Sequence, residues 1–351
     1  MAHLWVRAEA RPNERRVGIT PAGAADLLRR GIRVTVEDSA TRVIPAADYA
    51  ASGCGLAEAG SWREAPRDAL IFGLKELPED GTPLVHRHIM FGHAFKGQHA
   101  GQRLLARFAA GGGALYDLEY LVDEAGRRVA AFGYWAGYAG AAVSLKAWAA
   151  QARGGLCPPV APRDDTAALL DELGQDRAGL DAPSAIVIGA KGRVGPGAAD
   201  LCEAMGIAPT RWDMEETAHG GPFPEILGHT LFFNCILARP GTPVFVGPDA
   251  RDTGRELRVI GDIACDPDSD YNPIPLYDAA TNWAAPVVRV HDAPPLDVMA
   301  IDNLPSLLPR ESSEDFAAQL LPSLRALDKL ESGVWGRARA EFDRHVREVQ
   351  A

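Results

Sequence analysis

Short apolar runs that stop abruptly at a polar or charged residue recur along this chain, separated by stretches of helical character. Ala69-Leu70-Ile71-Phe72-Gly73-Leu74 stops at Lys75-Glu76, and Ile89-Met90-Phe91-Gly92 stops at His93. Runs this short and this uniformly apolar predict strands buried on both faces, as in parallel sheets. The alternation starts at once. Residues 4–7 form a strand, and Thr20 caps a helix with Pro21 at its first position that runs to Gly31. Residues 32–36 form the next strand, and a helix over 98–110 precedes a strand over 114–116. Such alternation predicts an α/β fold with a mostly parallel sheet, which binds ligands at the carboxyl ends of its strands. Lys75, Glu76 and His93 are therefore delivered to that edge. Lysine and histidine are the side chains most readily tuned to exchange protons near neutral pH, so Lys75 and His93 read as the acid-base machinery of an enzyme.

At 351 residues the chain exceeds the size at which one core stops growing, and two domains are expected. No run approaches the roughly 18 apolar residues of a membrane span. Residues 1–4 lead straight into a strand rather than a signal peptide, so the cytoplasm is the expected compartment. A formal net charge of -11 without a basic block disfavours nucleic acid and anionic membranes as partners. Cys54, Cys157, Cys202, Cys235 and Cys265 are scattered without C-x-x-C spacing, the pattern of buried thiols rather than a zinc site or a disulfide framework. His86 and His88 share one face of an extended segment but have no companion ligand nearby. The aspartate-rich segment 262–270 lacks the glycine and distal glutamate of a calcium loop. No metal is expected.

Residues 134–151 form a long Ala-rich helix, expected between domains, in which Gly137 and Gly140 permit close backbone approach. The stretch 154–181, with Pro158, Pro159 and Pro162 before a polar helix, has the composition of a boundary. A second alternating block opens at Ala185, with strands expected over 209–212, 231–233, 257–260, 286–290 and 298–301. Amphipathic helices over 313–329 and 335–349 are expected to return to the first domain. The fold class is thus α/β, with two Rossmann-like domains whose mostly parallel sheets flank a central cleft. Residues 1–132 and 311–351 form the substrate and catalytic domain, carrying Lys75 and His93, and 133–310 the second domain, which the glycine turn at Gly189, Gly192 and Gly195 followed by Asp213 marks as NAD-binding.

The second block begins Ala185-Ile186-Val187-Ile188-Gly189, followed by Gly192, Gly195 and Gly197 and a helix ending near Met205-Gly206. Strand, glycine turn and helix in that order set backbone N–H groups and the positive helix end against a pyrophosphate. Asp213 closes the next strand 24 residues after Gly189, near the spacing of about 20 expected for a ribose-binding acid. An acid there favours NAD over NADP. In the first block, Arg15-Arg16 and Arg127-Arg128 suit capture of carboxylates, and Glu119 follows a strand end. Basic groups and carboxylates sharing a pocket set one another's proton affinities.

Taken together, Arg7-Ala8-Glu9 with Asn13-Glu14-Arg15-Arg16, Gly73-Leu74-Lys75-Glu76, Pro83-Leu84-Val85-His86, Tyr116-Asp117-Leu118-Glu119, the stretch from Gly126 to Gly133, and Asp302-Asn303-Leu304-Pro305 through Glu311 resemble the NAD-dependent, L-lysine-forming saccharopine dehydrogenases. That family lies within the alanine dehydrogenase and transhydrogenase group. The resemblance implies conversion of saccharopine, NAD and water to L-lysine, 2-oxoglutarate and NADH, reversibly and without metal. By matching motif, Lys75 and His93 are the acid-base pair, with Glu76 and Glu119 tuning their pKa values. Arg16, Gln98, Arg128 and Phe132 line the substrate site. Gly189, Gly192, Arg193, Val194, Asp213, Thr217, Ile263, Ile301, Asp302, Asn303 and Leu304 contact the dinucleotide. Val194 departs from a cysteine of fungal members, and Leu237 from an aromatic residue after Asn234-Cys235-Ile236. The end Glu348-Val349-Gln350-Ala351 lacks a peroxisomal S-K-L signal.

The implied chemistry removes a proton from the secondary amine, passes hydride to NAD, and hydrolyses the resulting imine. Two residues able to carry protons suffice for these steps. Amine deprotonation is assigned to His93 and imine hydrolysis to Lys75, with the reverse assignment left open by the sequence. The alternative is a related amino-acid or opine dehydrogenase joining another amine to a 2-oxo acid. Small molecules are the expected partners, and a monomer the expected state.

Overall fold

The computed structural model describes residues 1–11, 13–95 and 99–350. The chain divides into two compact units, Met1–Ala131 with Ser312–Ala351, and Phe132–Glu311.

In the first unit the apolar runs form strands β1 (His3–Val6), β2 (Arg33–Glu37), β3 (Gly55–Ala57), β4 (Leu70–Phe72), β5 (Arg87–Met90) and β6 (Ala114–Asp117). They pair in the order β3-β2-β1-β4-β5-β6, parallel throughout. Helices α1 (Pro21–Arg29), α2 (Ala46–Ala51) and α3 (His99–Gly111) connect them. The Thr20 hydroxyl caps α1 by accepting the N–H of Gly23. The order reverses between β1 and β4. A crevice opens at such a switch point, outside the carboxyl ends of the two strands.

In the second unit α4 (Gly133–Ala152) and α5 (Thr166–Asp176) precede β7 (Ala185–Ile188), α6 (Gly195–Ala204), β8 (Thr210–Trp212), α7 (Met214–Thr217), α8 (Pro224–Leu227), β9 (Leu231–Asn234), β10 (Val259–Asp262), β11 (Val287–Asp292) and β12 (Pro295–Met299). The sheet order is β11-β12-β10-β9-β7-β8, parallel except where β11 meets β12. Here the switch point lies between β7 and β9. Two helices end the chain, α9 (Pro309–Leu324) and α10 (Gly333–Gln350); the split between the units falls inside α9. In the first unit Phe342 of α10 meets Phe108 of α3 edge to face.

Helix α4 is not a free-standing connector, because it is apolar nearly all round and buried in the second unit's core. A Cβ on Gly137 would lie 1.9 Å from the Val194 carbonyl oxygen, and one on Gly197 1.9 Å from that of Tyr134. Glycine at both positions lets α4 and α6 touch backbone to backbone. The proline-bearing stretch 154–181 is likewise no boundary, since Cys157, Val160, Leu169 and Leu173 insert into the same core. Helix α9 stops at Leu324 rather than 329; Pro322 sits in its last turn, and residues 325–328 continue as turns. Four of the five thiols are buried and Cys265 is half-buried. Burial pushes those of Cys157, Cys202 and Cys265 up to about 12.

Candidate active site

At the carboxyl end of β4 the chain is gripped on both sides of Lys75. The Glu9 carboxylate accepts the backbone N–H of Leu74 at 2.6 Å and of Lys75 at 3.1 Å. The buried Arg7 guanidinium pairs with Glu9 at 3.2 Å and donates to the Lys75 carbonyl. Gly73 is demanded by this grip, for a Cβ there would lie 2.4 Å from Arg7 Nε. The Lys75 charge acts on Glu14, which is fully buried against Arg16. Arg16 donates to Glu14 from Nε at 2.9 Å and from Nη2 at 2.7 Å. Burial pushes the Glu14 carboxyl up, but the Arg16 guanidinium and then the Lys75 ammonium outweigh it and hold the carboxyl below its ordinary value.

His93 follows β5 with a φ of 48°, a left-handed conformation that L residues seldom adopt. Its ring stacks on Phe91, centroid to centroid 6.4 Å. Two carboxylates flank it, Glu119 Oε2 at 3.7 Å from Nδ1 and Glu76 Oε1 at 3.9 Å from Nε2. Both separations exceed a hydrogen bond but lie within charge-pair range. Glu119 also meets Arg128 at 3.3 Å, and Glu76 meets Arg11 at 2.9 Å. Each ring nitrogen of His93 thus faces a carboxylate.

Of the residues expected in the substrate site, Lys75, Glu76, His93, Glu119 and Arg128 stand together at the carboxyl edge of the first sheet, with Arg16 beside them through Glu14. Gln98 lies outside the described residues. Phe132 caps the start of α4 and falls in the second unit. The sequence offers Arg7, Glu9, Glu14 and Asp117 only as members of matching motifs, without a role, and gives Arg11 none; in the structure the buried Asp117 carboxylate accepts the N–H of Gly92 at 3.1 Å and of Glu119 at 2.9 Å. Asp117 ends β6, so the strand-end logic that singled out Lys75 and His93 was available for it. His86 and His88 are buried structural residues: His86 Nε2 contacts the Ala65 carbonyl at 3.0 Å, and His88 lies edge-on to Trp62 and Phe108. Among the described residues no group of three or more His, Cys, Asp or Glu could hold a metal ion.

The second sheet presents a different edge. Gly189 has a φ of 90°, and a Cβ there would lie 2.8 Å from Ile236. A Cβ on Gly195 would lie 2.3 Å from the Gly189 carbonyl oxygen. The loop folds tightly back on itself, with Gly192 N–H donating to Gly189 O at 3.1 Å, and no side chain caps α6. Lys191, Gly192 and Arg193 are exposed and Val194 half-buried. A helix N-terminus left uncapped behind a loop where side chains are sterically barred fits a dinucleotide pyrophosphate. Asp213 closes β8, accepts the Lys191 N–H at 2.8 Å and caps α7. Thr217 Oγ1 donates back to the Asp213 carbonyl at 3.0 Å. Ile263 after β10 and Leu304 after β12 pack against Gly140. Ile301 is buried, Asp302 exposed, and Asn303 donates to Ser306 at 2.8 Å. All follow carboxyl ends of parallel strands in one sheet.

Residues 5–139 match the family model described as alanine dehydrogenase/PNT, N-terminal domain. The saccharopine dehydrogenase (NAD(+), L-lysine-forming) of Yarrowia lipolytica is 45% identical over 359 residues, covering 98% of this chain and 97% of its own. The enzyme of the same name from Schizosaccharomyces pombe is 43% identical over 364 residues, covering 99% of each. Among solved structures, an L-alanine dehydrogenase superposes with a TM-score of 0.70 at 14% identity, over 99% of both chains, a likeness of fold.

Proposed function

The chain belongs to the NAD-dependent, L-lysine-forming saccharopine dehydrogenases, and from that premise we propose how its residues divide the work. Saccharopine, NAD and water give L-lysine, 2-oxoglutarate, NADH and a proton, and the reaction is reversible. Bound at the Gly189 loop, NAD supplies the acceptor for hydride from the carbon beside the secondary amine.

Before hydride leaves, the amine must lose its proton, and His93 takes it. Glu76 and Glu119 compensate the imidazolium that results. Lys75 then serves imine hydrolysis, delivering and removing protons as water adds to the imine carbon and the C–N bond breaks. Both residues stand at one sheet edge, after the adjacent strands β4 and β5. Arg16 and Arg128 receive substrate carboxylates. The second unit holds the dinucleotide through Gly189, Gly192, Arg193, Val194, Asp213, Thr217, Ile263 and the segment from Ile301 to Leu304.

The observation that carries this division is His93 flanked by two carboxylates at the same sheet edge as Lys75. Among the described residues no helix is long and apolar enough to cross a membrane. The test is a steady-state assay of NADH with 2-oxoglutarate, lysine omitted and then restored. Absorbance of the reduced nicotinamide falls only when lysine is present. Turnover that ignores lysine but responds to another amine moves the chain to the opine dehydrogenase reading.

A further inference from the structure

A half-buried carboxylate, Glu9, and a fully buried one, Asp117, sit beneath the loops of the first unit's sheet edge. Glu9 grips the Lys75 loop. Asp117 does something more, because it joins two loops to each other. It closes β6 opposite Met90 of β5, and Leu118 N–H continues that pairing to Met90 O at 3.0 Å. Beyond this point the two strands diverge into the loop carrying His93 and the turn carrying Glu119. Asp117 Oδ2 accepts the N–H of Gly92, the residue before His93, and Oδ1 accepts the N–H of Glu119 itself.

We propose that Asp117 is a positioning residue for the reaction, fixing the His93 imidazole against Glu119 by holding the backbone of both loops with its two carboxylate oxygens. This assignment rests on the reading of His93 as an acid-base residue. Three observations carry it. Asp117 is 0% exposed and its bond to the Gly92 amide is buried, so that amide has no ready substitute acceptor in water. Residue 92 is glycine where a Cβ would stand 2.6 Å from Leu115 Cδ2 and 3.1 Å from Asp117 Oδ2, so the close approach of carboxylate to amide depends on it. His93 keeps an unfavoured left-handed φ directly after the anchored amide, a conformation that persists only where its surroundings over-determine it. An Asp side chain supplies two acceptors at short reach. Asparagine supplies one and turns an N–H toward the second amide.

The test is a double-mutant cycle with Asp117→Asn, His93→Gln and the pair, read as kcat, KM and the NADH dissociation constant of the full chain. A misplacement near 1 Å costs on the order of 10²-fold in rate, so D117N is expected to lower kcat by roughly 10- to 100-fold while NADH affinity stays within about twofold. In the H93Q background the same change is expected to cost less than about threefold, because its effect runs through His93. Wild-type kcat in D117N, or a double variant that loses the product of both single losses, overturns the proposal. If D117N does not bind NADH because it is unfolded, Asp117→Ser, which keeps one acceptor, is held to the same criteria. Full turnover in H93Q removes His93 from catalysis and this proposal with it, an outcome distinct from failure of D117N alone.

Discussion

The carboxyl edges of the two sheets are built from opposite materials. In the first unit the strand ends present polar and charged side chains, Lys75, His93 and Glu119, and the half-buried Glu9 and buried Asp117 behind them grip the backbone that carries them. In the second unit the strand end at Gly189 presents bare backbone, cleared of side chains at Gly189 and Gly195 and followed by an uncapped helix. Both edges lie at a switch point of a parallel sheet. What differs is the demand placed on each. Proton transfer needs a side chain held in one geometry, whereas a pyrophosphate needs close access to amides and a helix dipole.

The sharpest way to break this contrast is at the first edge. Lys75→Met or His93→Gln is expected to lower lysine-dependent turnover by about 10²- to 10⁴-fold, the range for loss of a general acid or base. Steady-state rates with saturating NADH check it; wild-type rates in both variants contradict the assignment. At the second edge, Gly195→Ala drives a Cβ into the Gly189 carbonyl oxygen. A strained site of this kind costs about 1–3 kcal/mol, so NADH binding is expected to weaken by roughly 5- to 150-fold. Fluorescence titration with NADH measures that directly.

A pH-dependent difference is smaller in its consequences but specific to the first unit. Burial pushes the Asp117 carboxyl up to about 6 from an ordinary 3.8, against the pull of its backbone hydrogen bonds and of His93. A carboxyl raised on folding favours the fold fully below its unfolded value and loses that contribution as pH rises through its folded one. Wild type therefore loses on the order of 3 kcal/mol between about pH 4 and pH 6 that D117N does not. The wild-type advantage in Tm over D117N is expected to shrink across that window; a constant difference tells against it. Smallest is Asp213→Ala, which removes the cap of α7 at a cost of about 1 kcal/mol and frees the Lys191 amide. A lower Tm together with a reduced preference for NAD over NADP is the expected pair of changes.

The strand ends at Lys75 and His93 and the turn at Gly189 were legible because each is a local event, an apolar run that stops or a glycine where the chain must bend. Strand β3 and helix α2 were not. Gly55–Ala57 is a three-residue edge strand, largely exposed and without apolar alternation, and α2 has Pro45 at its N-cap with no capping side chain. Strand β12 ends at Met299, though Ala300 and Ile301 extend the apolar run, because the ladder with β10 closes there. The grip on the Lys75 and His93 loops was illegible for a different reason. Glu9 reaches Leu74 and Lys75 across more than sixty residues, and Asp117 reaches Gly92 across 25. No period or spacing encodes a side chain whose partner is chosen by the fold of the sheet.

The division of labour between the two edges is tested most directly in the K75M/H93Q double variant, by titrating it with NADH. A dissociation constant within about twofold of wild type, in a protein that no longer oxidises NADH with lysine and 2-oxoglutarate, is the predicted result. Loss of NADH binding together with turnover, or turnover that survives, contradicts it.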